Sequence, residues 1–390
     1  MSNIAFLYER DMPTVSITRE CMNFLAASGV FDDTFCRVQD LSINEFNKAD
    51  VLFFIRPNDT ISLNLALQAK KTGRFVAVMY DDDLLDLPSD IPFAPWRRNR
   101  MIDILEIADV LVSSSQYLLN RYQNMFNIKR VGKIDTIVRE TEFFDFIPQK
   151  KEQIKIVYAA GPKHVELFNK FILPILPKLC QRYGKRLSLT CVGLYPNLEQ
   201  FKNGMNIEVI KGMPLIEYRK YMQSQQFDLG LAPLVTNDFT KCKYFNKYLE
   251  YTLAGFAGIY SETEPYTYVI ADKTNGFLAK NTPEDWFATI CEAIDDEVLR
   301  RKCIDNAVKH VKQNFTVEKV ASNLIRDIPE LKKGVQSKTN LEKLHSRKLQ
   351  YIIARFFDYL YLTCFYLKRT GIRGFVKNAI IHIKERKNFK

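Results

Sequence analysis

Residues 227–261, FDLGLAPLVTNDFTKCKYFNKYLEYTLAGFAGIYS, decide how the chain is read. Residues 227–233 are mostly apolar and stop at Pro233, which cannot donate to a sheet ladder, so they predict a buried strand. The loop at 234–240 holds Thr236, Asn237 and Asp238, and an Asn or Asp there predicts a helix cap. The helix beyond it would carry Lys243, Lys247 and Glu250 on one face, at spacings of four and three. Gly255 predicts its end, and residues 257–260 predict the next strand. Strand, helix and strand make a βαβ unit, whose helix start is a ready anion site. The competing reading of that face is a solvated charge stripe. Its place directly after a buried strand, at the end of an α/β unit where ligands bind, favours a phosphate site.

The same rhythm extends in both directions. Residues 2–8, 49–55, 74–80 and 109–113 read as strands separated by helical stretches, and 154–159, 187–192 and 207–210 repeat the pattern before the opening stretch. Alternation of this kind predicts a parallel sheet wound on both faces. Between 135 and 151 the pattern weakens, and Pro148-Gln149-Lys150-Lys151 reads as a linker. The expectation is an α/β chain of two Rossmann-like doubly wound domains, 1–150 and 151–330, with a helical basic tail at 331–390. A ligand would lie in the cleft between the domains.

Composition narrows the chemistry. At 390 residues and 47% hydrophobic content, the chain can bury two cores. The eight cysteines form no Cys-x-x-Cys pair and the start lacks a signal-peptide core, which predicts a reducing cytoplasm, no disulfide and no zinc site. Residues 331–390 hold fifteen Lys and Arg against Glu342, Asp358 and Glu385, a net +12, so the first 330 residues carry 11 − 12 = −1. A neutral body argues against nucleic acid, and the tail predicts an anionic membrane surface as partner. Residues 351–367 are apolar nearly all round but short for a span. Phe375, Val376, Ala379, Ile380 and Ile383 oppose Lys377, Lys384, Arg386 and Lys387, the pattern of an interfacial helix. The alternative is that the apolar part of the tail packs on the body.

Motifs exclude other chemistries. No Gly-x-Gly-x-x-Gly follows the first strand, no Walker loop occurs, and no Gly-x-Ser-x-Gly elbow is present. All four histidines lie after residue 160, so the first half supplies no His base or ligand. What remains is an anion site in the second half. Gly161 lets backbone approach a ligand, and Lys163 and His164 follow at the start of a helix. Lys243 and Lys247 would meet the same phosphates, and Glu250 would accept from a ribose diol.

These residues resemble nucleotide-sugar-dependent glycosyltransferases of the GT-B type, the large group-1 family of bacterial polysaccharide enzymes. The resemblance spans about 150–325, carried by FDLGLAPL, KYFNKYLEYTLAG, SETEPY and NGFLAKNTPEDW in the family's order. It implies that Glu250, five residues before Gly255, binds the donor's ribose. It also implies that Gly161, Lys163 and His164 form the diphosphate turn and that Gly212 and Met213 lie near the base. Many members place a sugar-facing glutamate where this chain has Cys242, and a subset with lysines there matches better. In the first half, Tyr80-Asp81-Asp82-Asp83-Leu84 resembles an acidic motif of some members. Asp81 and Asp82 would orient or deprotonate the acceptor, or bind a metal, with Lys247 also assigned to catalysis. The competing reading is that one or two of these carboxylates are solvated and one caps the next turn.

The implied activity moves a sugar from a nucleotide-diphosphate-sugar to a cell-surface glycan or lipid-linked acceptor, with no metal and no other cofactor. The implied place is the cytoplasm, peripheral at the inner face of the cell membrane. Retention and inversion both stay open, the second half favouring retention. The rival functions are a non-catalytic scaffold on the same fold and a nucleotide-sugar epimerase.

Overall fold

The apolar runs pair in parallel, as buried strands fed by crossover helices must. The structure, a computed structural model, describes residues 1–126, 128–144 and 153–387. The linker expected at 148–151 lies outside the described residues. The chain divides into two compact units. One comprises Met1–Ser113, Leu119–Lys133 and Leu324–Lys390, the other Ser114–Leu118 and Ile134–Asn323.

In the first unit β1 (Asn3–Tyr8), β2 (Asp32–Arg37), β3 (Val51–Ile55), β4 (Phe75–Met79), β5 (Val110–Ser113) and β6 (Val131–Lys133) form one parallel sheet ordered 2-1-3-4-5-6. The five residues of β3 are all buried, as their unbroken run VLFFI requires of a strand covered on both faces. The sequence pattern does not reveal β2 and β6. The first, DDTFCR, lies at the sheet's edge and is half exposed, and the second has only three residues. Neither carries an apolar run long enough to announce itself.

In the second unit β7 (Ile154–Ala159), β8 (Leu187–Val192), β9 (Asn206–Ile210), β10 (Leu229–Ala232), β11 (Ala257–Ser261) and β12 (Phe277–Ala279) form a parallel sheet ordered 12-11-10-7-8-9. The order reverses between β7 and β10. In open α/β sheets that is the point where ligands enter, beyond the carboxyl ends of the strands. Two cores flank the sheet. One contains Phe168, Leu189, Ile259 and Trp286, and the other Phe227, Tyr248, Tyr251 and Phe256. Each of these large side chains contributes about 1.5–3 kcal/mol on burial. Tyr251 fixes the helix to β10. Its hydroxyl donates to Leu231 O at 3.0 Å, and its ring covers Gly230, where a Cβ would stand 2.5 Å from a ring carbon.

The C-terminal helix, Lys348–Lys387, breaks at Gly371, whose φ is 65°. Asp358 is 5% exposed and accepts from Arg97 Nε at 2.9 Å, while Arg97 also holds Glu9 at 2.7 and 2.8 Å. Trp96 meets Tyr361 edge-on at 5.4 Å. Upstream, Arg347 donates to Val38 O at 3.0 Å. One side of the apolar stretch 351–367 therefore packs on the first unit. The stripe read at Phe375, Val376, Ala379, Ile380 and Ile383 lies outside the described side chains. Among the described residues no helix is long and apolar enough to cross a membrane.

Candidate functional site

The second unit gathers its candidates where the strand order reverses. β7 ends at Ala159, and Gly161 opens a single turn of 3-10 helix, Pro162–His164. Gly161 and Lys163 are exposed and His164 is half-buried. Alongside, Ala160 N donates to Val192 O at 3.0 Å and Gly193 N to Ile210 O at 2.9 Å. Gly193 sits at φ +81°, and a Cβ there would meet Ala160 O at 2.6 Å and Gly212 Cα at 3.8 Å. The ends of β7, β8 and β9 thus form a bare backbone floor that side chains would fill. Gly212 belongs to that floor, and Met213 is half-buried against the Tyr248 and Phe256 core.

The helix predicted to carry Lys243, Lys247 and Glu250 together is two helices. Asp238–Lys241 is capped by Asn237, which accepts from Thr240 N at 2.8 Å, and the second helix runs Asn246–Leu253. The chain bends at 242–245 because Cys242 and Phe245 are both buried, at 0% and 2% exposed. Tyr244 turns the other way, its hydroxyl donating to Asp135 Oδ1 at 3.1 Å. Lys243 therefore stands before the helix, not on its face. Lys247 and Glu250 share the helix as expected, and Gly255 ends it at φ 80°.

Lys247 and Glu250 are in contact. Lys247 Nζ lies 2.6 Å from Glu250 Oε2 and 3.0 Å from Tyr218 Oη, and Tyr218 donates to the same Glu250 oxygen at 3.0 Å. Tyr218 comes from the Leu215–Ser224 helix, and burial followed by the Glu250 charge pushes its hydroxyl well above its ordinary value. The helix is braced from behind, where Tyr248 Oη meets His310 Nδ1 at 3.0 Å and receives Asn275 Nδ2 at 3.1 Å. Burial holds the His164 imidazole below its ordinary value, helped by the charges of Lys243 and Lys247. Lys243 in the bend and Lys247 on the helix after it thus both act on one imidazole at the end of β7. Such a site can accept an anion, and Glu250, held by two donors, retains lone pairs for a diol.

In the first unit Asp81 and Asp82 follow β4. Thr14 Oγ1 donates to Asp81 Oδ2 at 2.5 Å, and Arg56 lies 3.0 Å from Asp81 and 3.5 Å from Asp82. Burial raises the Asp81 carboxyl, Arg56 opposes this, and Asp82 adds to it. Asp83 is a different kind of residue. It is 0% exposed, accepts from Leu85 N at 3.0 Å and Tyr122 Oη at 2.6 Å, and pairs with Arg121 at 2.9 Å. It caps the turn after the strand. Sequence reasoning missed Arg56, Thr14 and Tyr218. Arg56 directly follows β3 in FFIRPND, and that strand-end position is the signal that would have found it.

Two parallel six-stranded sheets with these crossovers give the chain the two-domain α/β fold of the GT-B class. Solved structures of that fold match over most of its length. Sucrose-phosphate synthase from Thermosynechococcus elongatus matches with a TM-score of 0.59 at 13% identity, over 85% of this chain and 99% of that one. A glycosyltransferase from Rickettsia africae gives 0.59 at 11%, over 85% and 98%. Anabaena HepE, in complex with UDP-glucose, gives 0.57 at 12%, over 85% and 100%. No family model matches the chain, and no curated protein matches its sequence. At these identities the likeness establishes the fold.

Proposed function

We propose that this protein is a glycosyltransferase that moves a sugar from a nucleotide-diphosphate-sugar to a glycan or lipid-linked acceptor at the inner face of a cell membrane. The observation that carries the reading is the Lys247–Tyr218–Glu250 triangle, whose Lys247 acts with Lys243 on His164 at the end of β7. Lys163, Lys243 and Lys247 would offset the charge growing on the leaving diphosphate. Removing one such donor typically slows turnover by about 10²–10³. Glu250 would hold the ribose, Tyr218 would aim Glu250, and Gly212 and Met213 would line the base. In the first unit Asp81, with its carboxyl raised by burial, would take the acceptor's proton or orient its hydroxyl, with Asp82 beside it. Fixed cations at the diphosphate leave no task for a metal, so EDTA should not change turnover.

HepE is solved with UDP-glucose, which makes UDP-glucose the first donor to try. The experiment follows release of nucleoside diphosphate from UDP-, GDP-, ADP-, CMP- and dTDP-sugars in the presence of membrane lipid extract. Release with one donor, lost in Lys247→Ala, supports the reading. Binding of a donor with neither transfer nor hydrolysis would make the chain a scaffold, and conversion of the free donor to its epimer would make it an epimerase.

A further inference from the structure

Over its described side chains, the C-terminal helix is strapped to the first unit through one side. Its opposite side carries Leu349, Ile352, Ile353, Phe356 and Leu360, each between 46% and 67% exposed. Their spacings of three and four place them on one line of a 3.6-residue helix, and Thr363, Cys364 and Leu367 continue it. Asp358 falls on the far side of the helix, where it meets Arg97. From 349 to 367 the chain holds two charged residues, Arg355 and Asp358, and they pair with each other at 3.5 Å at the body side. The outward face is therefore free of charge over about 27 Å. Isolated exposed apolar residues need no explanation, but a continuous line of them marks a surface that something covers.

We propose that this face is where the protein lies on an anionic bilayer, with the helix in the plane of the membrane. This deepens the membrane placement given above by naming the surface responsible. Charge selects the occupant. Lys343 and Lys348 precede the face, Lys368 and Arg369 follow it, and residues 331–390 as a whole carry +12. Such an arrangement suits acyl chains beneath the line and acidic headgroups at its ends. A second copy would bring two +12 segments together, which like-charge repulsion opposes. No described helix is long and apolar enough to span, in keeping with a helix that rests in the interface.

The test uses the full chain and its triple variant Ile352→Glu/Phe356→Glu/Leu360→Glu. Each is floated with vesicles of phosphatidylglycerol and phosphatidylcholine, or of phosphatidylcholine alone, at low salt. The native chain should float with the acidic vesicles, and the variant should lose more than about tenfold in partitioning. Because the three positions are exposed, the variant should keep its melting curve. In a separate Phe356→Trp variant, the added indole's emission should shift blue and be quenched by brominated lipid. Equal flotation of the triple variant overturns the proposal, as does indole emission in Phe356→Trp that vesicles leave unmoved. So does a dimer in sedimentation that the triple substitution disperses while the native chain ignores vesicles. A thermal shift with UDP-, GDP-, ADP-, CMP- and dTDP-sugars in the same samples separates this surface from the donor site. Flotation without any donor response would leave the membrane face standing and remove the transferase reading.

Discussion

Lys247 Nζ lies 2.6 Å from Glu250 Oε2, one turn apart on the helix that follows β10. Both side chains are about a quarter exposed, at 25% and 26%. An i, i+3 pair of that exposure contributes at most about 0.5 kcal/mol to the fold. The fold therefore depends little on this pair, which leaves both side chains available for the ligand role proposed above.

From this follows a separation of stability and activity. Lys247→Ala should change unfolding free energy by less than about 1 kcal/mol yet lower kcat by about 10²–10³. Glu250→Gln should act mainly on the donor's KM. Tyr218→Phe removes one of the two hydrogen bonds that Glu250 accepts and should raise KM less than Glu250→Gln does. Urea melts and donor-saturation kinetics on the three variants check this ordering.

The glycines at the strand ends should behave oppositely. Gly193 has φ +81° and no room for a Cβ, so Gly193→Ala should cost about 1–3 kcal/mol. Gly161 has φ −69° and nothing within 4 Å of a Cβ. Gly161→Ala should fold normally and lose donor affinity alone. Thermal denaturation with and without donor distinguishes the two.

Donor binding should also depend on pH. In the free protein His164 is held below its ordinary value of 6.5 by burial and by Lys243 and Lys247. A lowered folded value means that the unfolded chain binds more protons in that window. The contribution to stability is present above 6.5 and is lost as pH falls through the folded value. A bound diphosphate offsets the lysine charges and raises His164 again, so binding takes up protons. Affinity for a nucleotide-sugar, whose diphosphate does not titrate there, should weaken as pH rises through this window. Calorimetry across about pH 5–8 should show that slope in the native protein and its loss in His164→Gln.

The acidic triplet should divide. Asp83→Ala strands the buried Tyr122 hydroxyl and leaves Arg121 with only its longer 3.5 Å pair to Asp86 among the ion pairs described, and should cost about 2–4 kcal/mol. Asp81→Asn, at a half-open position beside Arg56 and Thr14, should leave stability within about 1 kcal/mol and slow transfer. Denaturation curves beside transfer rates decide it.

How much of the molecule is legible in the residues depends on range. The βαβ unit at 227–261 can be read because buried strands, Pro233 and Gly255 are local signals. The bend at 242–245 is invisible because it is set by Cys242 and Phe245 entering a core and by Tyr244 reaching Asp135, more than a hundred residues away. Strand β2 is an edge strand with DDT at its start, so its pattern never alternates. Of the triplet, Asp83 is separable only through Tyr122 and Arg121, some forty residues on. Tyr218 announces nothing by itself. It becomes part of the site only when two helices place its hydroxyl between Lys247 and Glu250.

The proposed function requires the second unit to hold a nucleotide-diphosphate-sugar through Lys247 and Glu250. Thermal shift of the native chain and of Lys247→Ala against UDP-, GDP-, ADP-, CMP- and dTDP-sugars tests it most directly. The native protein should rise in Tm with at least one of these donors, and the variant should rise less with the same donor. No shift with any donor, or an equal shift in both proteins, would contradict it.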